Sequence, residues 1–184
     1  MKRALVPLAP GFEEIEAVAV IDLLRRAGIE VVVAAVAENP VEGSHGIALV
    51  CDVRAGEVDP ARFDALVLPG GMPGTRHLAE SPAVCEWVMT MASAGKLLGA
   101  ICAAPIVLEA CGVLAGRRAT SHPGHASSMR SCSYEASAVL KDGNIITSRG
   151  AGTAIEFAAA LIAELAGAKA ARDVLAQIQH AAGA

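Results

Sequence analysis

The sequence has little charge and no block of like charge. Charged residues make up 18% of its 184 residues, and the formal net charge at pH 7 is −4. A general nucleic-acid binder needs a basic face or tail, and a membrane-surface anchor needs a run of Lys and Arg, so neither class fits. Hydrophobic residues make up 54%, which excludes a disordered or fibrous chain and favours a globular α/β protein.

The sequence also lacks an apolar run long enough to cross a bilayer. The longest, over 97–108, contains Gly99 and Pro105, whereas a spanning helix needs about 20 apolar residues. The start, MKRALVPLAPGFEE, is basic, but its apolar part is short and broken by Pro7 and Pro10, unlike a signal peptide. We therefore expect a cytoplasmic protein with no membrane and no nucleic acid among its partners.

No two cysteines have the C-x-x-C spacing, and their number is odd. A disulfide framework or a structural zinc site is therefore not expected. His122-x-x-His125 is a weaker metal pattern, but Pro123 and Gly124 exclude a helical register between the histidines, and no acidic residue is adjacent. We predict no metal and no cofactor. The five cysteines are Cys51, Cys85, Cys102, Cys111 and Cys132.

Strand-like and helix-like segments alternate along the chain, which predicts a mostly parallel sheet with helices on both faces. No linker or repeat interrupts this pattern, so we expect a single domain over 1–184. A T-x-x-E capping box from Thr153 to Glu156 predicts the start of a late helix. The predicted strands are 3–8, 29–36, 64–68 and 97–101, with an edge strand or hairpin arm at 47–54 and a hairpin over 136–148 that turns on Asp142-Gly143. The predicted helices are 13–27, 82–94, 103–111, 153–165 and 168–181.

The first helix has apolar residues at the spacing of a buried stripe. Glu13 and Glu14 are explained by their place in the first turn, where acids favour the helix dipole. Glu16 borders the stripe, and two interpretations stay open: a solvated surface carboxylate, or a desolvated carboxyl that stays protonated and donates to a thiolate. The stripe consists of Ile15, Val18, Ile21 and Leu24.

Cys102 lies where the strand 97–101 meets the following helix. Free amides and the dipole at a helix N-terminus would lower the pKa of its thiol, as at a nucleophile elbow. An inert buried cysteine fits the position equally well.

Ligands of open parallel sheets bind at the carboxyl ends of the strands. Besides Cys102, that edge carries the loop before Glu16 and the segment containing Gly70 and Gly71, whose amides would either form an oxyanion hole or make an ordinary turn. His122, in a loop rich in Pro and Gly, is either a general base or a solvated histidine.

Five motifs in order resemble the ThiJ/PfpI superfamily: APGFEEIEAV, LPGGMPG, AICAAP, SHP and TSRGAGTAIEF. The resemblance runs from about residue 3 to about residue 182, and it is closest to the branch of the bacterial protein YajL and the human Parkinson-linked deglycase. It implies a flavodoxin-like three-layer α/β sandwich that forms a homodimer.

The resemblance also implies roles for individual residues. It implies that Cys102 is the reactive nucleophile, that Glu16 is a protonated carboxyl bound to its sulfur, and that His122 is the neighbouring histidine. The remaining correspondences are the amides of Gly70, Gly71 and Ala103 in an oxyanion pocket, and Arg26 at the helix end that faces the dimer partner.

The implied activity is a cysteine-dependent, cofactor-independent glyoxalase or protein deglycase. Its substrates would be methylglyoxal, glyoxal or their early adducts on proteins. The alternative is an oxidative-stress sensor or redox-regulated chaperone that uses oxidation of Cys102. Cysteine peptidase activity, which some relatives have, needs a histidine directly after the cysteine, and Ala103 stands there.

Overall fold

A computed structural model describes residues 1–180 of the chain. The predicted end of the last helix, at 181, lies outside these residues. The strands are β1 (Arg3–Leu8), β2 (Glu30–Ala35), β3 (Val41–Glu42), β4 (Ala48–Leu49), β5 (Val53–Arg54), β6 (Ala65–Leu68), β7 (Leu97–Ile101), β8 (Arg118–Ala119), β9 (Ser133–Tyr134), β10 (Val139–Asp142) and β11 (Ile145–Ser148). The helices are α1 (Glu14–Arg26), α2 (Gly74–Glu80), α3 (Pro82–Ser93), α4 (Pro105–Ala110), α5 (Ala154–Ala166) and α6 (Ala168–Gln177).

The central sheet has seven strands in the order β10-β11-β7-β6-β1-β2-β5. All neighbouring pairs are parallel except β10 and β11, which form the predicted hairpin. One core joins the sheet to α1, α5 and α6, and a second core joins its other face to α2, α3 and α4. The predicted flavodoxin-like α/β fold is confirmed.

The inner strands are apolar on both faces because helices cover both sides of the sheet. In β1, Val6 points into the core under α1, whereas Leu5 points into the core under α3, and neither is more than 1% exposed. The parallel strands β1, β6, β7 and β11 all end at the same edge of the sheet. That edge is where the candidate site lies.

The predicted stripe of α1 was wrong at its first two positions only. Leu24 is buried as predicted, but Ile15 and Val18 are 60% and 44% exposed, and Ala17 and Val20 pack against the sheet in their place. The spacing of three and four residues fits Ala17–Val20–Leu24 as well as it fits Ile15–Val18. Because α1 is apolar on two faces, periodicity alone did not identify the face that meets the core.

The predicted capping box was also wrong. The Thr153 hydroxyl makes no capping bond to α5; it pairs with the hydroxyl of Ser148 at 2.7 Å and donates to the carbonyl of Gly150 at 2.8 Å. Ser81, by contrast, caps α3 through a bond from the Val84 amide.

Helix boundaries near the sheet edge also differ from the prediction. The helix after Cys102 is shorter than predicted, and α2 was not predicted at all. Within residues 1–180, no helix combines the length and apolar character that crossing a membrane requires.

Candidate active site

Three segments meet at the carboxyl edge of the sheet. Glu16 comes from the first turn of α1, Gly70 and Gly71 follow β6, and Cys102 follows β7. A Cβ atom built on Gly70 would lie 2.7 Å from Cβ of Cys102 and 2.8 Å from Oε2 of Glu16. Any side chain at position 70 would collide with Cys102 and Glu16, so the site requires glycine there.

Cys102 has a backbone conformation that non-glycine residues rarely adopt. Its φ is +62°, in the left-handed region that costs about 1 kcal/mol or more for an ordinary residue. Two backbone hydrogen bonds stabilise this conformation. The Cys102 amide donates to the carbonyl of Ser148 at 2.9 Å, and the Cys102 carbonyl accepts from the His122 amide at 2.8 Å. A strained residue between a strand and a helix is the backbone geometry of a nucleophile elbow.

Glu16 is a fully buried acid beside this sulfur. It is 0% exposed, and its Oε2 accepts a hydrogen bond from the Gly70 amide at 2.8 Å. The other oxygen, Oε1, is buried without a nitrogen or oxygen partner. Burial raises the pKa of Glu16 to about 7, although the Gly70 amide and the Cys102 thiol act in the opposite direction.

The Gly70 amide is occupied by Glu16, so it holds the acid in place. The amides beside the sulfur are those of Gly71 and Ala103, and both lower the pKa of Cys102. Gly71 has φ +89°, and a Cβ there would lie 2.3 Å from the Glu13 nitrogen. Glycine is therefore required for this loop to bring an amide to the sulfur.

The pKa of Cys102 is not lowered, contrary to the expectation from a helix N-terminus. Burial and the adjacent Glu16 carboxylate raise the pKa of Cys102 to about 12, which outweighs the amides of Ala103 and Gly71. The charge on Glu16 supplies part of this rise. When the proton sits on Glu16, the repulsion disappears and the carboxyl donates to the sulfur, so the thiolate is favoured.

His122 lies at the rim of the site. Its Nδ1 accepts from the Gly124 amide at 3.1 Å, which leaves Nε2 for other contacts. Its ring is exposed and lines a cleft of about 400 Å³ with Arg149 and the turn 150–153. Among residues 1–180, no hydrogen bond joins this ring to Cys102, and the two residues are linked through their backbones.

Glu14 is a second buried acid, for which the sequence predicted only a helix-dipole effect. It is 5% exposed, and its Oε1 accepts from the amides of His45 at 2.6 Å and Ile47 at 3.4 Å. Its Oε2 lies 2.9 Å from Nδ1 of His45. These bonds lower the pKa of Glu14 to about 2 against the effect of burial. The role of Glu14 is thus to fix the loop 43–47, beyond the helix-dipole effect expected for it.

Glu13, Glu14 and His45 also form the one group of potential metal ligands found in residues 1–180. One ligand atom from each lies within 4.8 Å of the others. The hydrogen bonds of the loop already occupy both oxygens of Glu14.

The outer face of α1 carries the remaining predicted residue, Arg26. Its Nε pairs with Asp22 at 2.8 Å, and its side chain is 43% exposed. Exposed apolar side chains occupy the same helix and the adjoining hairpin β3–β4: Ile15, Val18, Ile47 and Val50.

Comparison with known proteins places this geometry in a family. Residues 2–164 match the DJ-1/PfpI family. The chain is 43% identical over 176 residues to Protein dj-1beta of Drosophila melanogaster, with 94% of each chain covered. It is 39% identical over 170 residues to the glutathione-independent glyoxalase DJR-1.2 of Caenorhabditis elegans, with 90% of each covered.

Solved structures of DJ-1 proteins have the same fold as this chain. The crystal structure of Drosophila melanogaster DJ-1beta matches with a TM-score of 0.95 and 42% identity, covering 98% of both chains. Oxidized DJ-1 of Toxoplasma gondii matches with a TM-score of 0.95 and 38% identity, covering 98% of this chain and all of the other. The resemblance seen in the sequence motifs is confirmed, and the chain belongs to the DJ-1/PfpI (ThiJ) family.

Proposed function

We propose that this protein is a cysteine-dependent glyoxalase or protein deglycase that needs neither glutathione nor another cofactor. The observation that carries the proposal is the strained Cys102 held against the buried carboxyl of Glu16. The name of the nematode relative, a glutathione-independent glyoxalase, supports the same reaction class. The substrates are methylglyoxal, glyoxal or their early adducts on proteins in the cytoplasm.

The first step is attack by the Cys102 sulfur on the aldehyde carbon. A carbon–sulfur bond forms, and the carbonyl electron pair moves onto oxygen, giving a hemithioacetal. The amides of Gly71 and Ala103, which already face the sulfur, stabilise the oxyanion. The thiol proton is held by Glu16, whose pKa of about 7 suits exchange of a proton at neutral pH.

The second step moves a hydrogen between neighbouring carbons. A base removes the proton from the former aldehyde carbon, and the adjacent ketone carbon is protonated, which gives a thioester of the 2-hydroxy acid. Nε2 of His122 serves as that base, or the Glu16 carboxylate does so once it has passed the thiol proton to the hemithioacetal oxygen. Since Nδ1 of His122 is occupied by the Gly124 amide, its ring would act through Nε2 alone.

The last step is hydrolysis of the thioester by water, which returns the Cys102 thiol. Methylglyoxal and water give lactate, and glyoxal and water give glycolate. The aldehyde carbon is oxidised while its neighbour is reduced, so no external electron acceptor is required. An early adduct of methylglyoxal on an amine is a hemiaminal. There the Cys102 sulfur displaces the amine, the carbon–nitrogen bond breaks as the nitrogen takes a proton from Glu16, and the same hemithioacetal results.

The test is methylglyoxal consumption with lactate detection, without glutathione, for the wild type, Cys102→Ser and Cys132→Ser. Cys132 is also half-buried but lies outside the site, so Cys132→Ser is the matched control. We expect turnover in the wild type and the control and none in Cys102→Ser. Full turnover in Cys102→Ser, or a requirement for glutathione, would overturn the proposal.

The site also supports a second function, an oxidative-stress sensor or redox-regulated chaperone. A sulfinate formed on Cys102 would accept a hydrogen bond from protonated Glu16, and the solved structure of the Toxoplasma gondii relative is of its oxidized form. Mild peroxide followed by mass spectrometry tests this function. It requires oxidation of Cys102 before Cys85 or Cys111, with a different yield in Glu16→Gln; uniform oxidation of all cysteines would refute it.

We also propose that the protein forms a homodimer. The exposed apolar side chains Ile15, Val18, Ile47 and Val50 form a surface that a second copy would cover, and Arg26 lies at the end of the same helix. Val18→Glu should shift the protein to a monomer in analytical ultracentrifugation. Met89→Glu is the matched control, because Met89 has a similar exposure, 46% against 44% for Val18, but lies on α3. Identical sedimentation of both variants and the wild type would exclude this interface.

A further inference from the structure

Two cysteines outside the candidate active site lie in direct contact. The Cys111 thiol, at the end of α4, donates to the sulfur of Cys85 on α3, with the two sulfur atoms 3.1 Å apart. That separation is only about 1 Å longer than a disulfide bond. Both side chains are half-buried, and Cys111 packs at the edge of the core under α3 and α4, so an oxidant can reach the pair from solvent.

We propose that Cys85 and Cys111 form a second redox site, a dithiol that a peroxide or a disulfide-exchanging oxidant converts reversibly into an intramolecular disulfide. The two residues are 26 positions apart, and the chain between them carries β7, the Cys102 elbow and α4. The bond therefore closes a covalent loop around the segment that presents Cys102. The proposal does not depend on the substrate of Cys102.

A peroxide can oxidise the Cys85–Cys111 pair in two steps. The Cys85 sulfur attacks one peroxide oxygen, the oxygen–oxygen bond breaks, and the leaving oxygen takes a proton, giving a sulfenic acid and water or an alcohol. The Cys111 sulfur then displaces hydroxide from the sulfenic acid, and its proton completes a second water. The Cys111 thiol donates its hydrogen to the Cys85 sulfur, which makes Cys85 the first sulfur to react. Burial and the neighbouring sulfur raise the pKa of Cys111 to about 12, so Cys111 keeps its proton until the second step.

Peptide mapping tests the proposal directly. Trypsin cleavage after Arg76, Lys96 and Arg117 separates Cys85 in peptide 77–96 from Cys111 in peptide 97–117. The second peptide also contains Cys102, so the full-length Cys102→Ser variant is mapped alongside the wild type. Each protein is treated with hydrogen peroxide, its remaining thiols are alkylated, and it is digested without reductant.

The expected result is a linked pair of peptides 77–96 and 97–117 in both proteins, which dithiothreitol separates. Cys51 and Cys132 should stay alkylatable. The oxidised protein should melt about 5 °C or more above the reduced protein, because the new loop constrains the unfolded chain. Cys85→Ser should abolish both effects without altering basal turnover, whereas Cys132→Ser should retain both.

Three outcomes would overturn the proposal. In the first, Cys85 and Cys111 remain fully alkylatable at a hydrogen peroxide concentration that oxidises free glutathione in the same buffer. In the second, the linked peptide is absent from Cys102→Ser, which would mean that Cys85 had paired with Cys102. In the third, the link forms only between two chains, as shown by a covalent dimer on a non-reducing gel.

Discussion

Glu14 and Glu16 stand two positions apart at the start of α1, and both are buried. Glu14 has a pKa lowered to about 2, whereas the pKa of Glu16 is raised to about 7. The amides of His45 and Ile47 and the ring of His45 all bind the oxygens of Glu14. Glu16 has one amide, from Gly70, and an oxygen with no partner.

The comparison shows that burial alone does not set the charge of an acid. Desolvation raises the pKa of both carboxyls. Glu14 lies close to the surface beneath the loop 43–47 and accepts from several donors, whereas Glu16 lies deeper and accepts from one amide, so depth and the number of donors together decide which effect wins. An acid that several donors satisfy is a structural anion. An acid with only one hydrogen-bonded oxygen beside a thiol can take up and release a proton near neutral pH. The proposed chemistry of Cys102 needs this property.

The largest expected effect is on turnover of methylglyoxal. Glu16→Gln keeps the shape of the side chain but cannot take up or release a proton, so kcat/KM should fall by roughly 10²- to 10⁴-fold. Glu14→Gln, the same substitution two residues earlier, should leave kcat/KM within a few-fold of the wild type. Equal losses in both variants would mean that α1 acts only as a scaffold.

The next effect is on the pH dependence of stability. The folded pKa of Glu16 is raised from 4.5 to about 7, so the folded state holds a proton that the unfolded state has released. Its contribution to stability is therefore complete below pH 4.5 and falls as the pH rises to about 7, by about 3 kcal/mol. Urea unfolding of the wild type and Glu16→Gln from pH 4 to 8 should show this fall in the wild type alone. Parallel curves would contradict the raised pKa.

The sequence predicted the strands and the position of Cys102 at this edge of the sheet, but it did not predict which side chains contact each other there. The alternation of strands and helices gave the parallel sheet, and the elbow at Cys102 followed from the junction of β7 with the next helix. For Glu16 the residues alone left two interpretations open, because α1 is apolar on two faces and Ile15 and Val18 predicted the wrong one. Only the resemblance in the motifs favoured the buried interpretation.

Contacts between distant segments could not be read from the sequence. His45 binds Glu14 across 31 positions, and Cys111 meets Cys85 across 26, and neither spacing matches a known motif. The short helix α2 has a proline and a glycine at its start, which obscure its periodicity. Such contacts are set by how the loops pack after the sheet has formed.

A smaller effect separates the two acids at low pH. Glu14→Gln places an amide nitrogen against the donors of the loop 43–47, and we expect a loss of about 1–3 kcal/mol at pH 7. Since the pKa of Glu14 is lowered from 4.5 to about 2, its contribution is present above pH 4.5 and is lost as the pH falls toward 2. Acid unfolding followed by circular dichroism should therefore give Glu14→Gln a flatter profile than Glu16→Gln in this range. The same acid profile in both variants would show that the loop does not depend on the charge of Glu14.

The smallest effect concerns His45, whose ring is 70% exposed. The Glu14 carboxylate raises the pKa of His45 above its ordinary 6.5, chiefly through the hydrogen bond to Nδ1. The stabilisation it gives is complete below pH 6.5 and is lost as the pH rises through the folded pKa. His45→Ala keeps the backbone amide that binds Glu14, so it should cost less than Glu14→Gln. An NMR titration of the His45 ring should show the raised pKa in the wild type and a return toward 6.5 in Glu14→Gln, while Glu16→Gln leaves it unchanged. A His45 pKa that follows Glu16 instead would mean that the two acids share one electrostatic network, and the contrast between them would no longer hold.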